Sequence, residues 1–351
     1  MELLTNSSNK RIEYIDALRG FTMILVVFAH IEAFSMFGMQ HTTFLGSIFQ
    51  SFRMPLFFFI SGYIEFKITP PNKNLVLKKL RIQIIPATVF GLIFCHGNIS
   101  GYIFDTAKAG YWFTYVLLEM FLIYYAISFI AHKYPNSTSK IFCYTTIIIA
   151  STLYILRLPL KLDPTLNTLG SITCFHYTFS YFHFFVFGLL ASKFKQYFEQ
   201  MLDNKYIVAT AIVLFTIGNY CLYNILLPKT EDFSYNIYKI IYEIVETGCA
   251  YTGIFIIYGF FRHYADSVKE STFIGRNLQY IGKRTLDIYL LHYFLIPTIP
   301  MVGSFLIEYP NMAIELFIGL SLSLLIIGIC MIISNIIRTS PFLSHWLLGT
   351  K

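Results

Sequence analysis

Residues 15–30 read IDALRGFTMILVVFAH. Most of the stretch is apolar, as a membrane-crossing helix requires, yet it carries Asp16, Arg19 and His30. Ionisable side chains at membrane depth are costly, so they face a partner or a cavity. Ten residues stand between Arg19 and His30. As a helix, that puts His30 about 16 Å deeper than Arg19 at 1.5 Å per residue, close to three full turns away. The two side chains therefore share one face. Asp16, three residues before Arg19, falls on the same face and within pairing range. Two readings stay open for these three: a snorkelling arginine with a packing histidine, or a polar stripe lining a functional cavity.

The rest of the chain fixes the setting. Of 351 residues, 56% are hydrophobic and 13% are charged, and the mean hydropathy is +0.61. Soluble domains carry about 25% charge, so the expected class is an all-α polytopic membrane protein. A spanning helix needs about 20 mostly apolar residues. Ten segments qualify, at 15–37, 44–66, 81–97, 111–132, 141–158, 173–192, 205–227, 241–261, 285–307 and 312–337. No repeat, long linker or low-complexity tract divides them, so residues 1–351 are expected to form one domain. Met1–Lys10 is polar and no cleavage motif follows, so no cleavable signal peptide is expected. The six cysteines are scattered through apolar runs without metal spacing and read as small hydrophobes.

The net charge of +7 does not point to nucleic acid, because the basic residues are sorted by loop. With the N-terminus cytoplasmic, nineteen of the 26 lysines and arginines fall in cytoplasmic segments, among them Lys10, Arg11, Lys73, Lys351 and the group Lys283–Arg284. Five fall on the opposite side: Lys108, Arg157, Lys161, Lys229 and Lys239. This bias sets orientation in membrane proteins and predicts that both termini are cytoplasmic.

Four further polar places lie at or near membrane depth. Arg53 precedes Pro55 in the second span, and Ser61-Gly62 closes the same span with small residues that permit close approach. Lys78, Lys79 and Arg81 cluster at the cytoplasmic edge, as lipid anchors or as a clamp for the phosphates of a nucleotide-bearing cofactor. Glu119 lies in an apolar span with Trp112 near its outer end, in a position to pair with Arg53 or His30. Asp287, Tyr289 and His292 follow Lys283, with His292 about 14 Å deep at the helical rise, close to the level of His30. His41, His132, His263 and His345 read as loop or interface residues, and Glu243 and Glu246 have no assigned role.

Two histidines without a matched third ligand make a weak metal site, and no metal is expected. No G-x-S-x-G elbow, HExxH, Walker loop, HxxxD or HxxxxD motif occurs. What remains is a histidine within the membrane and an arginine toward the cytoplasm. A neutral imidazole takes a proton from a hydroxyl attacking a carbonyl, because its ordinary pKa lies near operating pH. A polysaccharide exporter or proton-coupled transporter, and a non-enzymatic partner of a glycan synthase, stay open as rivals.

The arginine and histidine of IDALRGFTMILVVFAH, with ten residues between them, resemble the opening motif of the membrane acyltransferase 3 family. MPLFFFISGY at 54–63, KKLRIQIIP at 78–86, YWFTYVLLEM at 111–120, FHFFVFGLL at 182–190 and GKRTLDIYLLHYF at 282–294 resemble its later segments, in the same order. FRMPLFFFISGY leans toward the subgroup of fucose 4-O-acetylase-like proteins. The resemblance covers about residues 11–300. It implies about ten helices around a central pore in the inner (plasma) membrane. It also implies transfer of acetyl from cytoplasmic acetyl-CoA to a sugar hydroxyl of a surface polysaccharide or glycolipid. By position, His30 would be the catalytic base. Arg19 would hold or orient the donor, with Asp16 beside it and Lys78, Lys79 and Arg81 at the cytoplasmic mouth. Lys78 stands where the family often has arginine, and a lysine offers a point charge rather than a bidentate fork. Arg53, Ser61, Trp112, Glu119, Tyr289 and His292 are the pore and acceptor candidates. Membrane lipids and a carbohydrate acceptor are the expected partners, without nucleic acid. No appended periplasmic catalytic domain is expected.

Overall fold

The computed structural model describes residues 12–36, 43–67, 74–162, 164–227 and 237–350, with residues 158–162, 164–167 and 237 described in backbone only. Lys10, Arg11, His41, Lys73, Lys229 and Lys351, and the side chain of Lys161, lie outside that description.

The described residues are helical, without strands. In chain order the helices are α1 (Glu13–His30), α2 (Phe44–Glu65), α3 (Asn74–Lys79), α4 (Ile85–Phe94), α5 (Ile99–Phe104) and α6 (Trp112–His132). Then come α7 (Thr138–Leu162), α8 (Pro164–Thr173), α9 (Phe175–Lys193), α10 (Lys195–Asp203) and α11 (Lys205–Cys221). The last six are α12 (Ile237–His263), α13 (Phe273–Gly282), α14 (Thr285–Leu291), α15 (Pro300–Glu308), α16 (Met312–Arg338) and α17 (Pro341–Leu347). Seven segments are long and apolar enough to cross a membrane: α1 with its extension to Ser35, α2, α6, Pro135–Arg157, Lys205–Leu226, Tyr238–His263 and α16.

Three predicted spans take other forms. The stretch 81–97 belongs to a helix that starts at Asn74 and passes through a π-turn at Leu80–Ile84, just before Pro86. Proline lacks an N–H and its ring crowds the carbonyl four residues back, and the wider turn accommodates it. The stretch 173–192 starts at Phe175, because Cys174 turns left-handed at φ 65°. The stretch 285–307 is not one helix. It breaks after α14 into a short 3-10 turn, His292–Phe294, and resumes at Pro300. Pro297 and Pro300 withhold two amide donors there, and the opened backbone is tied instead to the end of the first span. Ile299 N–H donates to Ser35 O at 3.0 Å, and Ser35 Oγ donates to Pro297 O.

Burial ranks the helices. The α1 window is 72% buried, against 17% for Pro135–Arg157 and for Lys205–Leu226, so α1 is central and those two are peripheral. Two apolar clusters meet along α1. One takes Ile15, Leu18 and Leu25 together with α2, α6, α9 and α12. The other takes Met23, Val26 and Val27 together with α14 and α16. One close crossing is between α2 and α9. A Cβ added at Gly62 would lie against the carbonyl oxygen of Phe185, and one added at Gly188 against that of Phe59 and 2.7 Å from Tyr63 N. Two glycines facing each other in this way let the two backbones touch, the usual means of holding helices together in a membrane. The small residue predicted at Gly62 is therefore used for helix packing, while its neighbour Ser61 faces the cavity described below.

Two ion pairs and a hydrogen bond tie together residues predicted to lie on the cytoplasmic side. Arg262 meets Asp203 at 2.6 Å, Lys283 meets Glu270 at 3.2 Å, and Glu13 accepts from Glu270 N–H at 3.0 Å. Glu243, left without a role, pairs with Arg157 at 2.7 Å, and Asp287, from the polar group after Lys283, pairs with Arg338 at 2.7 Å. Partly buried pairs of this kind are weak evidence of net stability, since desolvation offsets attraction, but a partner left buried alone, as Asp287 would be without Arg338, is costly.

Candidate functional site

Where the two apolar clusters meet lies a cavity of about 480 Å³. Seven of the twelve candidate residues line it: Arg19, His30, Arg53, Ser61, Lys79, Trp112 and Tyr289. Arg19 and His30 thus share one cavity, as their spacing on α1 predicts.

At one end, Arg19 Nη2 donates to Thr285 Oγ1 at 3.0 Å, and Nη1 stands 3.7 Å from Asp16 Oδ1. Asp16 lies behind Arg19 rather than in the cavity wall, so its charge orients the guanidinium. Lys79 is also committed. Its ammonium meets Glu65 Oε2 at 2.8 Å and sits 3.6 Å from the centre of the Phe121 ring, a cation–π arrangement. Tyr125 O–H donates to the other oxygen of Glu65 at 2.5 Å. Of the predicted basic cluster only Lys79 lines the cavity. Lys78 is exposed and Arg81 is half-buried with a buried, unpartnered Nε.

Deeper in, His30 Nε2 is 3.0 Å from the Tyr293 hydroxyl. The His30 ring stacks on Phe34 at 5.7 Å and lies 5.2 Å from the ring of His292. The two histidines do share one level. His292, however, is fully buried behind His30 and donates from Nδ1 to Ile288 O at 3.0 Å. It belongs to the supporting wall. Arg53 does not reach the outer surface; it lines the cavity, and its Nη1 is buried without a hydrogen-bond partner among the described residues. Trp112 stacks on Tyr177 with centroids 4.3 Å apart. Glu119 takes neither partner expected for it. Thr178 Oγ1 donates to its carboxylate instead, and it does not line the cavity.

A second cavity of about 410 Å³ lies beyond, lined by Phe94, Ala109 and Ile296 and sharing Phe34, Gly110 and Tyr293 with the first. These three residues stand between the two spaces, beside His30.

Reading the sequence alone missed Tyr293, Gly110 and Glu65. Tyr293 carried a signal: it is four residues after Tyr289, on the same helical face. Glu65 sits four residues after Ser61 at the cytoplasmic end of its span, where an acid among lysines is a pairing candidate. Gly110 had no signal beyond being a glycine before a span. Glu32, also passed over, is 1% exposed in the π-turn following His30.

The arrangement offers an imidazole at the inner end of a largely apolar cavity, a guanidinium with a free buried donor beside the cavity, and cations at one mouth. Among the described residues no group of three or more His, Cys, Asp or Glu side chains is placed to hold a metal ion. A family model described as an acyltransferase domain matches residues 12–335. Neither a curated protein nor a solved structure matches the chain.

Proposed function

This chain belongs to the acyltransferase 3 family, and from that premise we propose that it is an integral membrane O-acetyltransferase. Its donor is cytoplasmic acetyl-CoA, and its acceptor is a hydroxyl of a surface polysaccharide or lipid-linked sugar. The observation that carries this reading is one cavity joining Arg19 and Lys79 to His30. Spans enough for ten passes, both termini cytoplasmic and residence in the inner membrane complete the proposal, with the helix broken at Pro297 and Pro300 counted as one pass. The loop sorting of lysine and arginine supports that orientation.

In this mechanism the coenzyme phosphates dock at the Arg19–Lys79 mouth and the thioester reaches toward His30. Exposed Lys78 and half-buried Arg81 widen the positive rim. The sugar hydroxyl arrives from the Phe34–Tyr293 side through the second cavity. His30 takes the hydroxyl proton as the oxygen attacks the thioester carbonyl. Arg53, with its unpartnered Nη1, stabilises the oxyanion that develops, a contribution that is large in a water-poor site. Collapse expels the coenzyme thiolate, which takes the proton back from His30. Trp112, stacked on Tyr177, presents an aromatic face of the kind against which a sugar ring packs.

The test is transfer of labelled acetyl from acetyl-CoA to cell-surface glycan in membranes with and without this protein, with mass spectrometry to place the added group. Label that enters glycan equally in both membranes sinks the proposal. Loss of the glycan itself, rather than of its acetyl groups, would turn the assignment to export.

Arg19→Ala will raise the KM for acetyl-CoA by roughly tenfold or more, with a smaller change in kcat. A charged hydrogen bond contributes about 1.5–3 kcal/mol, and tenfold corresponds to about 1.4 kcal/mol. Donor titration in membranes checks this; an unchanged KM removes Arg19 from the donor site.

A further inference from the structure

We infer that Tyr293 is the positioning residue of the site: it fixes the tautomer of His30, so that Nδ1 is the atom that takes the acceptor proton. The inference rests on the acyltransferase reading above and deepens it.

The Tyr293 hydroxyl has one hydrogen and two neighbours. It lies 3.1 Å from Gly110 O, to which it donates, and 3.0 Å from His30 Nε2. With its hydrogen committed to Gly110, the hydroxyl offers His30 only a lone pair. Nε2 must then carry the proton and donate, which leaves Nδ1 with the free lone pair. The converse tautomer would put the hydrogen on Nδ1, which makes no hydrogen bond with the described residues. His30 lines the cavity, so the free lone pair belongs to the wall that a substrate meets. The partner of one ring nitrogen decides the chemistry of the other.

The Gly110 carbonyl is held for this task by an unusual piece of backbone. Lys108, Ala109 and Gly110 have φ of 49°, 53° and 92°, three left-handed residues in succession. Two of them are not glycine, a conformation that surrounding contacts must enforce. Asp105 supplies them. Its carboxylate accepts from Ala107 N–H at 2.9 Å and from Ala109 N–H at 2.6 Å. The buried Lys108 ammonium donates to the carbonyls of Ile103 and, at 2.6 Å, Ser171. The second lone pair of Gly110 O is taken by Tyr289 O–H at 3.0 Å, and Phe113 N–H donates to that hydroxyl at 3.3 Å. Both tyrosines are thereby pinned to one carbonyl. At Gly110 itself a Cβ would meet the Tyr293 ring, 2.6 Å from its hydroxyl oxygen. Only glycine fits there, both for its φ and for this approach.

During the reaction the acceptor O–H bond breaks to His30 Nδ1, the C–O bond forms, and the C–S bond of the thioester breaks. The thiolate then recovers the proton from Nδ1. Nε2–H remains bonded to Tyr293 throughout, so the ring keeps its orientation while it carries charge.

The test uses the full-length protein in lipid nanodiscs. Nitrogen-15 spectra of histidine-labelled protein, with the His30 signals identified by their loss in His30→Ala, report the tautomer directly. Expected are a protonated Nε2 and an unprotonated Nδ1 in wild type, and a mixture in Tyr293→Phe. Alongside, Tyr293→Phe should lose roughly tenfold to a hundredfold in kcat, the usual cost of removing a partner that orients a functional histidine. The KM for acetyl-CoA should stay within about twofold, as for an interaction made in the transition state. Gly110→Ala should reproduce the kcat loss. A wild-type His30 protonated on Nδ1, or a Tyr293→Phe enzyme with wild-type kcat or with a raised KM alone, overturns the inference. The tautomer is readable whether or not the protein transfers acetyl, so an inactive protein with the expected spectrum refutes the acyltransferase reading and not the role of Tyr293. Should Gly110→Ala fail to fold, the wild-type spectrum alone still decides.

Discussion

Replacing His30 with alanine will abolish acetyl transfer while leaving a folded protein in the membrane. The site has no second base placed to substitute. His292 is 5.2 Å away ring to ring, but it is fully buried and does not line the cavity, so its unpartnered Nε2 is shut off from a substrate. General base catalysis supplies a factor of about 10²–10⁴, and the variant should lose activity on that order. Folding should survive, because the imidazole fills a cavity wall and, among the described residues, its only hydrogen bond is to Tyr293. The measurement is incorporation of labelled acetyl into surface glycan at matched protein level, with the amount of glycan determined in parallel. Wild-type incorporation in His30→Ala removes the histidine from the chemistry. Glycan lost together with its acetyl groups would instead mark an exporter.

A second large effect is expected far from any chemistry. Gly62→Leu, or Gly188→Leu, will prevent α2 and α9 from closing. At both positions the atoms met by a side chain are backbone atoms of the other helix, which cannot rotate aside as a flexible side chain does. Inserting extra methylenes into a packed core costs about 1–3 kcal/mol where side chains can shift, and a contact with backbone should cost at least that. α2 carries Arg53 and Ser61 to the cavity, so whatever folded protein remains will have a displaced site. Size-exclusion profiles in detergent and thermal midpoints give the readout: an aggregated or sharply destabilised Gly62→Leu protein is expected. Gly62→Ala should show a milder form of the same defect. A monodisperse Gly62→Leu protein with the wild-type midpoint would show that this crossing is not as close as described.

Much of this was legible in residues 15–30. The charge-poor composition dictates helices in a membrane, because backbone polar groups there must be satisfied within the segment. The helical repeat of 3.6 puts Arg19 and His30 on one stripe, and the cavity bears that out. Long segments such as 44–66 and 312–337 were readable because a continuous apolar run has one stable form in lipid. The run 285–307 was misread as one continuous helix because hydropathy is blind to Pro297 and Pro300, whose missing donors break the helix regardless of how apolar the neighbours are.

What the sequence by itself determined is the class of protein, the helical spans with unbroken apolar runs, and the shared face of Arg19 and His30 on the first of them. These follow from local rules, in which length, periodicity and charge act within one helix. Only the tertiary structure decided which polar groups meet. Glu119 went to Thr178, Lys79 to Glu65, and His30 to Tyr293 from a segment more than 260 residues away. Such pairings depend on how far helices rotate and slide against one another. That is set by backbone contacts like those at Gly62 and Gly188 and by the left-handed turn at Lys108–Gly110, and no periodicity within a single segment encodes it.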